Sequence, residues 1–390
     1  MKKAILVLIG AVILIQSAAV DLLAIPAFAR KYQMTCKTCH SPFPKLKDYG
    51  DEFAGNGFVI KDKDAPRYYV DTGDSFLSLL REIPVALRLE GFFTYNNAAT
   101  KQWDFTSPYV LKILSGGEIT KNIAYYFYFF FSERGEVAGI EDAFLMFNNL
   151  FGSEVDLYVG QFQVSDPLFK RELRLTFEDY QVYRVRPGES DINLTYDRGV
   201  MFTYGFPTGT DFTLEVLNGS GIGEANIFRN FDNDKYKNLV FRVSQDLGDH
   251  LRIGGFSYFG KEEKQEVGNS LWMLAADATV RAAPFELNLQ YVERRDNNPY
   301  FITDFTEPTQ TRGGFAELVY RPKGDDSKWY LAELVNWVNS ELDELDYASA
   351  TFHYGRMLRR NIRATAEFTY VFDSVYEDHG RFAVGLITAF

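Results

Sequence analysis

Two cysteines and a histidine stand close together near the start of this 390-residue sequence, as Cys36, Cys39 and His40. They form the pattern Cys-Xaa-Xaa-Cys-His, and the sequence contains no other cysteine. Neither thiol therefore has a partner elsewhere for a disulfide or a zinc site. This spacing lets both thiols reach the two vinyl groups on one edge of a haem, while the histidine that follows can bind the iron. The motif predicts one covalently attached c-type haem.

The residues around the motif predict a small helical unit, spanning residues 25–70. Pro44 suits the first turn of a helix, Leu46 and Phe53 fall on one face of that helix, and Gly57 can end it. A unit of this size is too small to form a core alone. It therefore needs help from the haem, from the remainder of the chain, or from both.

Residues 1–24 have the pattern of a secretory signal peptide. Two lysines precede an apolar stretch that runs from Ala4 to about Ala19, and small residues up to Ala24 offer cleavage sites. A retained membrane anchor is the alternative, although the stretch is short for a full span. Export agrees with the haem motif, because bacteria attach c-type haem outside the cytoplasm.

The remainder of the chain, residues 80–390, has the pattern of a transmembrane β-barrel. The chain is 16% aromatic, yet its mean hydropathy of −0.20 is too low for a bundle of membrane-spanning helices. Apolar and polar residues alternate, for example over 285–291 and 362–370. Such strands face lipid on one side and a polar lumen on the other. We predict an all-β fold, an antiparallel barrel of about sixteen strands; a soluble sandwich is the alternative.

The connections between the predicted strands alternate between short and long. Bacterial barrels have short periplasmic turns and long outer loops, so both chain termini are expected on the periplasmic side. The haem segment would then lie in the periplasm as a cap or inside the barrel as a plug. The long connection 164–198 is expected to fold inward and narrow the pore, with a solvated outer loop as the alternative. Residues 260–269 are also predicted to form an outer loop.

The net charge of the chain and the charges in its predicted lumen indicate which kinds of partner it can bind. The formal net charge of −12 argues against nucleic acid and favours cations or cationic partners. The alternation places basic and acidic side chains together in the lumen. The basic set is Arg88, Arg242, Arg252 and Arg363, and the acidic set is Glu90, Asp156, Glu286, Glu317, Glu333 and Glu367.

The second axial position of the haem iron has several candidate ligands, because the chain contains four histidines and six methionines. Met34 is close to the motif, but it belongs to the segment already bound at the haem edge; packing against the porphyrin is its other role. His353 and His250 fall near the periplasmic mouth of the predicted barrel, where each could instead be a solvated rim histidine. A five-coordinate iron, or one completed by water, is a further alternative.

Two stretches resemble known families. Residues 26–58, PAFARKYQMTCKTCHSPFPKLKDYGDEFAGNGF, resemble the N-terminal signature of fused outer-membrane cytochrome–porins, a family with members in iron-oxidising bacteria. Residues 140–180 and 197–200 resemble phosphate-selective porins O and P. The first resemblance implies an outer-membrane protein with haem thioethers at Cys36 and Cys39 and His40 as proximal ligand. The second implies only the barrel plan, because the mixed lumen charges do not make a phosphate-binding ladder.

Motif and resemblance together predict an outer-membrane electron conduit. The resemblance implies Fe(II) as the external donor and a periplasmic c-type cytochrome as the acceptor, which would make the protein an Fe(II):cytochrome c oxidoreductase. One alternative is a haem-plugged or redox-gated diffusion porin, and another is electron export to an extracellular metal. Barrels of this class are often trimers, so a homotrimer in contact with outer-membrane lipid is expected.

Overall fold

A computed structural model describes residues 27–60, 69–74, 77–80, 83–100, 102–164, 168–303, 307–375 and 377–390. The predicted signal peptide, 1–24, lies outside the described residues. Among those residues, no helix combines the length and hydropathy needed to cross a membrane.

The N-terminal segment contains three short helices, α1 (Ala27–Tyr32), α2 (Cys36–Cys39) and α3 (Asp48–Gly55). A small hairpin of β1 (Tyr69–Asp71) and β2 (Ser78–Leu80) follows them. The prediction of a helix beginning at Pro44 is wrong, because the chain first folds back on α2: the Lys47 amide donates to the Cys39 carbonyl at 2.8 Å. The predicted helix end is confirmed by a positive φ of 72° at Gly57.

Sixteen antiparallel strands, β3 to β18, form a closed barrel in which β18 pairs with β3. The number of strands and the all-β fold class are therefore confirmed. The strands are β3 (Val85–Asn96), β4 (Trp103–Thr120), β5 (Ile123–Glu133), β6 (Gly139–Phe147), β7 (Val155–Gln163), β8 (Tyr196–Gly205), β9 (Thr210–Leu217), β10 (Asn238–Leu247), β11 (Leu251–Lys264), β12 (Val267–Ala282), β13 (Phe285–Asp296), β14 (Thr309–Tyr320), β15 (Trp329–Ser340), β16 (Tyr347–Arg359), β17 (Ile362–Asp373) and β18 (His379–Ala389).

The barrel wall is apolar outside and polar inside. Phe352 and Phe368 are about half exposed on the outer face, whereas Asn288 and Thr369 are buried inside. A soluble sandwich would bury its aromatic residues, so this pattern is that of a barrel in lipid. One inward assignment is wrong: Glu333 is exposed on the outer face. The inward residue is its neighbour Leu334, which pairs with the buried Glu317 and Thr351.

Long connections follow β7, β9 and β13 as predicted, whereas the outer connection predicted at residues 260–269 is short. Here β11 and β12 continue as paired strands to a tight turn at Gln265 and Glu266, both of which have positive φ. The side chains of Glu262 and Asn269 are hydrogen-bonded across the pair at 3.0 Å. The predicted loop is wrong because charged residues can continue a strand where they interact with each other and with polar interior groups.

The long connection between β7 and β8 folds into the barrel. Its Tyr180 ring stacks on Phe315 of β14 at 4.2 Å between centroids, and the Tyr180 hydroxyl donates to Glu317 at 3.0 Å. The backbone amides of Phe177 and Glu178 donate to the Glu367 carboxylate of β17. These contacts hold the connection, described over 168–195 and called the inner loop below, across the lumen.

Candidate functional site

The N-terminal segment docks on the short-turn end of the barrel through side chains of opposite charge. Lys45 forms an ion pair with Glu286 that is mostly buried, and Lys47 pairs with Asp325 at 3.2 Å. The other pairs are Lys37 with Asp326, Asp48 with Arg281 and Asp51 with Lys170 of the inner loop. Glu286, Arg281 and the 325–326 turn all lie at the end where the connections are short. The segment therefore sits at one mouth of the barrel.

Two barrel arginines hold the chain just after the cysteine–histidine motif. Arg321 donates to the carbonyl and the hydroxyl of Ser41, at 2.9 and 3.1 Å, and Arg363 donates to the carbonyl of Phe43 at 2.7 Å. Hydrogen bonds from charged donors are the stronger kind. The barrel thus positions the 41–43 backbone next to His40, although these residues are more than 270 positions apart in the sequence.

Cys36 and Cys39 lie on the single turn of α2, and no disulfide joins them. Burial raises the pKa of both cysteines. Helix α3 packs directly on this turn: a Cβ added at Gly50 would lie 2.4 Å from the Cys39 carbonyl oxygen. The close approach fixes the position of the α2 backbone that carries the two cysteines.

The His40 ring is oriented by a hydrogen bond between its Nδ1 and the Pro44 carbonyl, at 2.7 Å. A carbonyl can only accept, so Nδ1 carries the proton and Nε2 keeps a lone pair that can bind a metal. Burial lowers the pKa of His40 to about 4, which keeps the ring neutral near pH 7. The local geometry therefore prepares His40 as an axial ligand.

A cavity of about 420 Å³ opens between the segment and the barrel wall. Cys36, Cys39 and His40 line it on one side, and strands β3 to β9 line much of the remainder. Its walls are mainly apolar, and the volume is within the usual range for ligand and cofactor sites. Two thiols, a neutral imidazole with a free lone pair and apolar walls around one cavity fit a covalently bound haem.

The three predicted candidates for the second axial ligand have different surroundings in the structure. Met34 lines the cavity. His353 does not: its Nδ1 lies 2.8 Å from Glu367 and its Nε2 lies 3.2 Å from the Tyr330 hydroxyl, so both nitrogens are engaged elsewhere. His250 lies in an exposed short turn, with Nδ1 bonded to the Arg281 carbonyl at 2.9 Å.

Sequence reasoning missed two methionines in the cavity wall, Met146 of β6 and Met201 of β8. Both are inward residues, so the period-two alternation assigns them to the lumen. It does not tell which part of the lumen faces the N-terminal segment. That depends on docking, which no local pattern encodes.

A smaller polar cavity of about 40 Å³ adjoins the first, and Arg88, Lys112 and Glu172 line both. It extends towards Glu133, at the long-loop end of β5. Burial would raise the pKa of Glu172, but the charges of Lys112 and Arg174 hold the pKa below its usual range. The cavity is large enough for a few water molecules.

No family model matches the chain, and no curated protein gives a significant sequence match. Solved structures do resemble it. An anion-selective porin from Comamonas acidovorans has a TM-score of 0.60 at 10% identity, over 79% of this chain and 99% of that one. The outer membrane channel DcaP of Acinetobacter baumannii gives 0.57 at 11% identity, over 79% and 97%. The trimer form of OmpT from Vibrio cholerae gives 0.54 at 11%, over 79% and 99%.

The chain has a porin-type fold. At these identities the resemblance shows the fold and no more. The porin-type barrel is thus a finding, whereas the haem segment rests on the geometry of Cys36, Cys39 and His40.

Proposed function

We propose that this protein is an outer-membrane electron conduit: a porin-type barrel that carries one c-type haem on Cys36 and Cys39, with His40 as proximal ligand. The observation that carries the proposal is that all three residues line one apolar cavity, with the His40 tautomer set by Pro44. The apolar outer face of the barrel supports the membrane location. Fe(II) is the proposed external donor, and a periplasmic c-type cytochrome is the proposed acceptor.

The bound haem would supply a site that takes up one electron and gives it away again. The chain's own residues hold that site in place. Arg321 and Arg363 fix the backbone beside His40, and mainly apolar walls surround the cavity. The burial and polarity of the surroundings of a haem are among the means by which a protein tunes its reduction potential.

The position of the haem site along the barrel axis restricts how an electron donor reaches it. The hydrocarbon core of a bilayer is about 30 Å thick, and the segment docks at the short-turn end of the barrel. A donor outside the membrane must therefore enter the lumen. The polar cavity beside the haem pocket, with its mixed charges, leads towards the long-loop end and offers a direction for that entry.

The proposal is tested by producing the protein in a host that attaches c-type haem. A haem-stained band should survive denaturing electrophoresis, and Fe(II) should reduce the haem in the purified, detergent-solubilised protein. A Cys36→Ser/Cys39→Ser variant should lose the stained band while its barrel still shows the heat-dependent gel mobility of a folded porin. A wild-type barrel without covalent haem would overturn the proposal.

A second function, a diffusion porin, is favoured by the similarity to solved porins. The haem segment would then be a plug or a redox gate. In planar bilayers, a porin should show steady ion conductance, and a redox gate should change its conductance on reduction. The conduit instead predicts low conductance in both redox states, because the inner loop crosses the lumen and the segment covers one mouth of the barrel. The trimer form of OmpT also supports a homotrimer, which size-exclusion with light scattering would test.

A further inference from the structure

We infer that the barrel wall, through the thioether of Met201, provides the second axial ligand of the haem. The inference rests on the proposed haem attachment at His40. The ligand is then neither Met34 of the N-terminal segment nor a histidine, but a methionine in the middle of strand β8.

Thioethers, rather than imidazoles, face this cavity from the barrel. Among the described residues that line it, His40 is the one histidine, whereas Met34, Met146 and Met201 all contribute to the lining. Methionine opposite histidine is an established axial pair for c-type haem, and it raises the reduction potential. A ligand of this kind suits a haem that must accept an electron from a weak reductant.

Two of the three methionines lie on the N-terminal segment or next to the place where it docks. Met34 precedes Cys36 on the same segment. Met146 lies two residues before Asn148, whose side-chain amide donates to the Gly55 carbonyl of α3 at 2.8 Å. It therefore stands in the patch of barrel wall on which α3 docks. The second axial ligand must approach the porphyrin face opposite to His40, so these two positions are poorly placed.

Met201 lies further around the wall. The register joins inward residues of five adjacent strands in one row, namely Ala124, Met146, Tyr158, Met201 and Glu215. Two strand spacings, about 10 Å, separate Met201 from Met146. Met201 keeps 7% of its surface accessible, whereas Met146 keeps 1%. Met201 thus reaches the cavity from a strand away from the docking patch and is less enclosed by other side chains.

The test compares Met201→Leu with the matched variants Met146→Leu and Met34→Leu in the haem-loaded protein. The ferric wild type should show the weak far-red absorption band of thioether–haem ligation. Met201→Leu should lose this band and lower the reduction potential, while the other two variants keep both. Met201→His should replace the band with a bis-histidine spectrum, which shows that the position reaches the iron.

Several outcomes would overturn the inference. They are a wild type without the far-red band, a band that persists in Met201→Leu, and a band that is lost in Met34→Leu or Met146→Leu instead. If Met201 only fills space, its leucine variant keeps the spectrum. Heat-dependent gel mobility verifies that each variant is folded. If the haem shows the band but Fe(II) does not reduce it, the proposed function is contradicted and the assignment of Met201 as ligand stands. If the protein carries no covalent haem, both are overturned.

Discussion

His353 illustrates how one side chain can suit a functional role by type and position and still serve the scaffold. It is 2% exposed, and its ring lies between the Glu367 carboxylate and the Tyr330 hydroxyl. Glu367 in turn accepts the backbone amides of Phe177 and Glu178, so the histidine belongs to the anchor of the inner loop. A buried polar group that loses its partner carries its full desolvation cost.

We therefore expect His353→Leu to leave the haem spectrum unchanged and to lower the free energy of unfolding by about 1–3 kcal/mol, because Glu367 and Tyr330 lose a buried partner. Absorption spectra and thermal unfolding in detergent measure the two effects. His250→Leu, at an exposed turn, is the control and should change neither. A shift in the axial-ligand bands of His353→Leu would contradict the structural role assigned here.

At the scale of the element, the motif depends on the packing of two short helices. Helix α2 is a single turn, and its geometry is maintained by α3, whose Gly50 approaches the Cys39 carbonyl without room for a side chain. Helix α3 is held on the barrel side by Asn148 and by the aromatic contact of Phe58 with Tyr126, whose ring centroids are 5.2 Å apart. The haem turn is thus positioned by α3 as well as by the contacts of Arg321 and Arg363.

Gly50→Ala should consequently reduce the yield of haem-loaded protein and lower its melting temperature, because the added Cβ would meet backbone that cannot rotate away. Gly55→Ala is the matched control on the same helix, since a Cβ at that position meets nothing within 4 Å. It should be neutral, or stabilising by about 0.5–1 kcal/mol. Quantitative haem staining and thermal melts measure the haem yield and the melting temperature of both variants. Equal values for the two variants would contradict the role of Gly50 in packing α3 on α2.

For the molecule as a whole, the segment and the barrel form one functional unit through a charged interface. The pairs differ in burial: Glu286 keeps 7% of its side chain exposed beside Lys45, whereas Asp326 keeps 85% beside Lys37. Exposed ion pairs contribute little because water and salt screen them. Hydrogen bonds to charged groups at protected positions contribute about 1.5–3 kcal/mol.

Loss of the protected pair should therefore loosen the docked segment much more than loss of the exposed one. We expect Glu286→Gln to speed hydrogen exchange of the α2–α3 amides by roughly tenfold or more. Asp326→Asn, the control, should change the rate by less than about threefold. Hydrogen exchange followed by mass spectrometry measures both. Equal rates in the two variants would show that docking does not depend on the Lys45–Glu286 pair.

The sequence alone determined what depends on neighbours along the chain. The spacing of Cys36, Cys39 and His40 predicted the haem motif, and the period of two predicted an all-β barrel of sixteen strands, because strand side chains alternate whatever surrounds them. The tertiary structure decided what depends on distant residues. In the structure, His353 interacts with Tyr330 and Glu367, and Met201 lines the cavity. Helix α3 begins after Pro44 rather than at it. Alternation says that a residue points inward, but only the docked segment and the inner loop determine what it meets there.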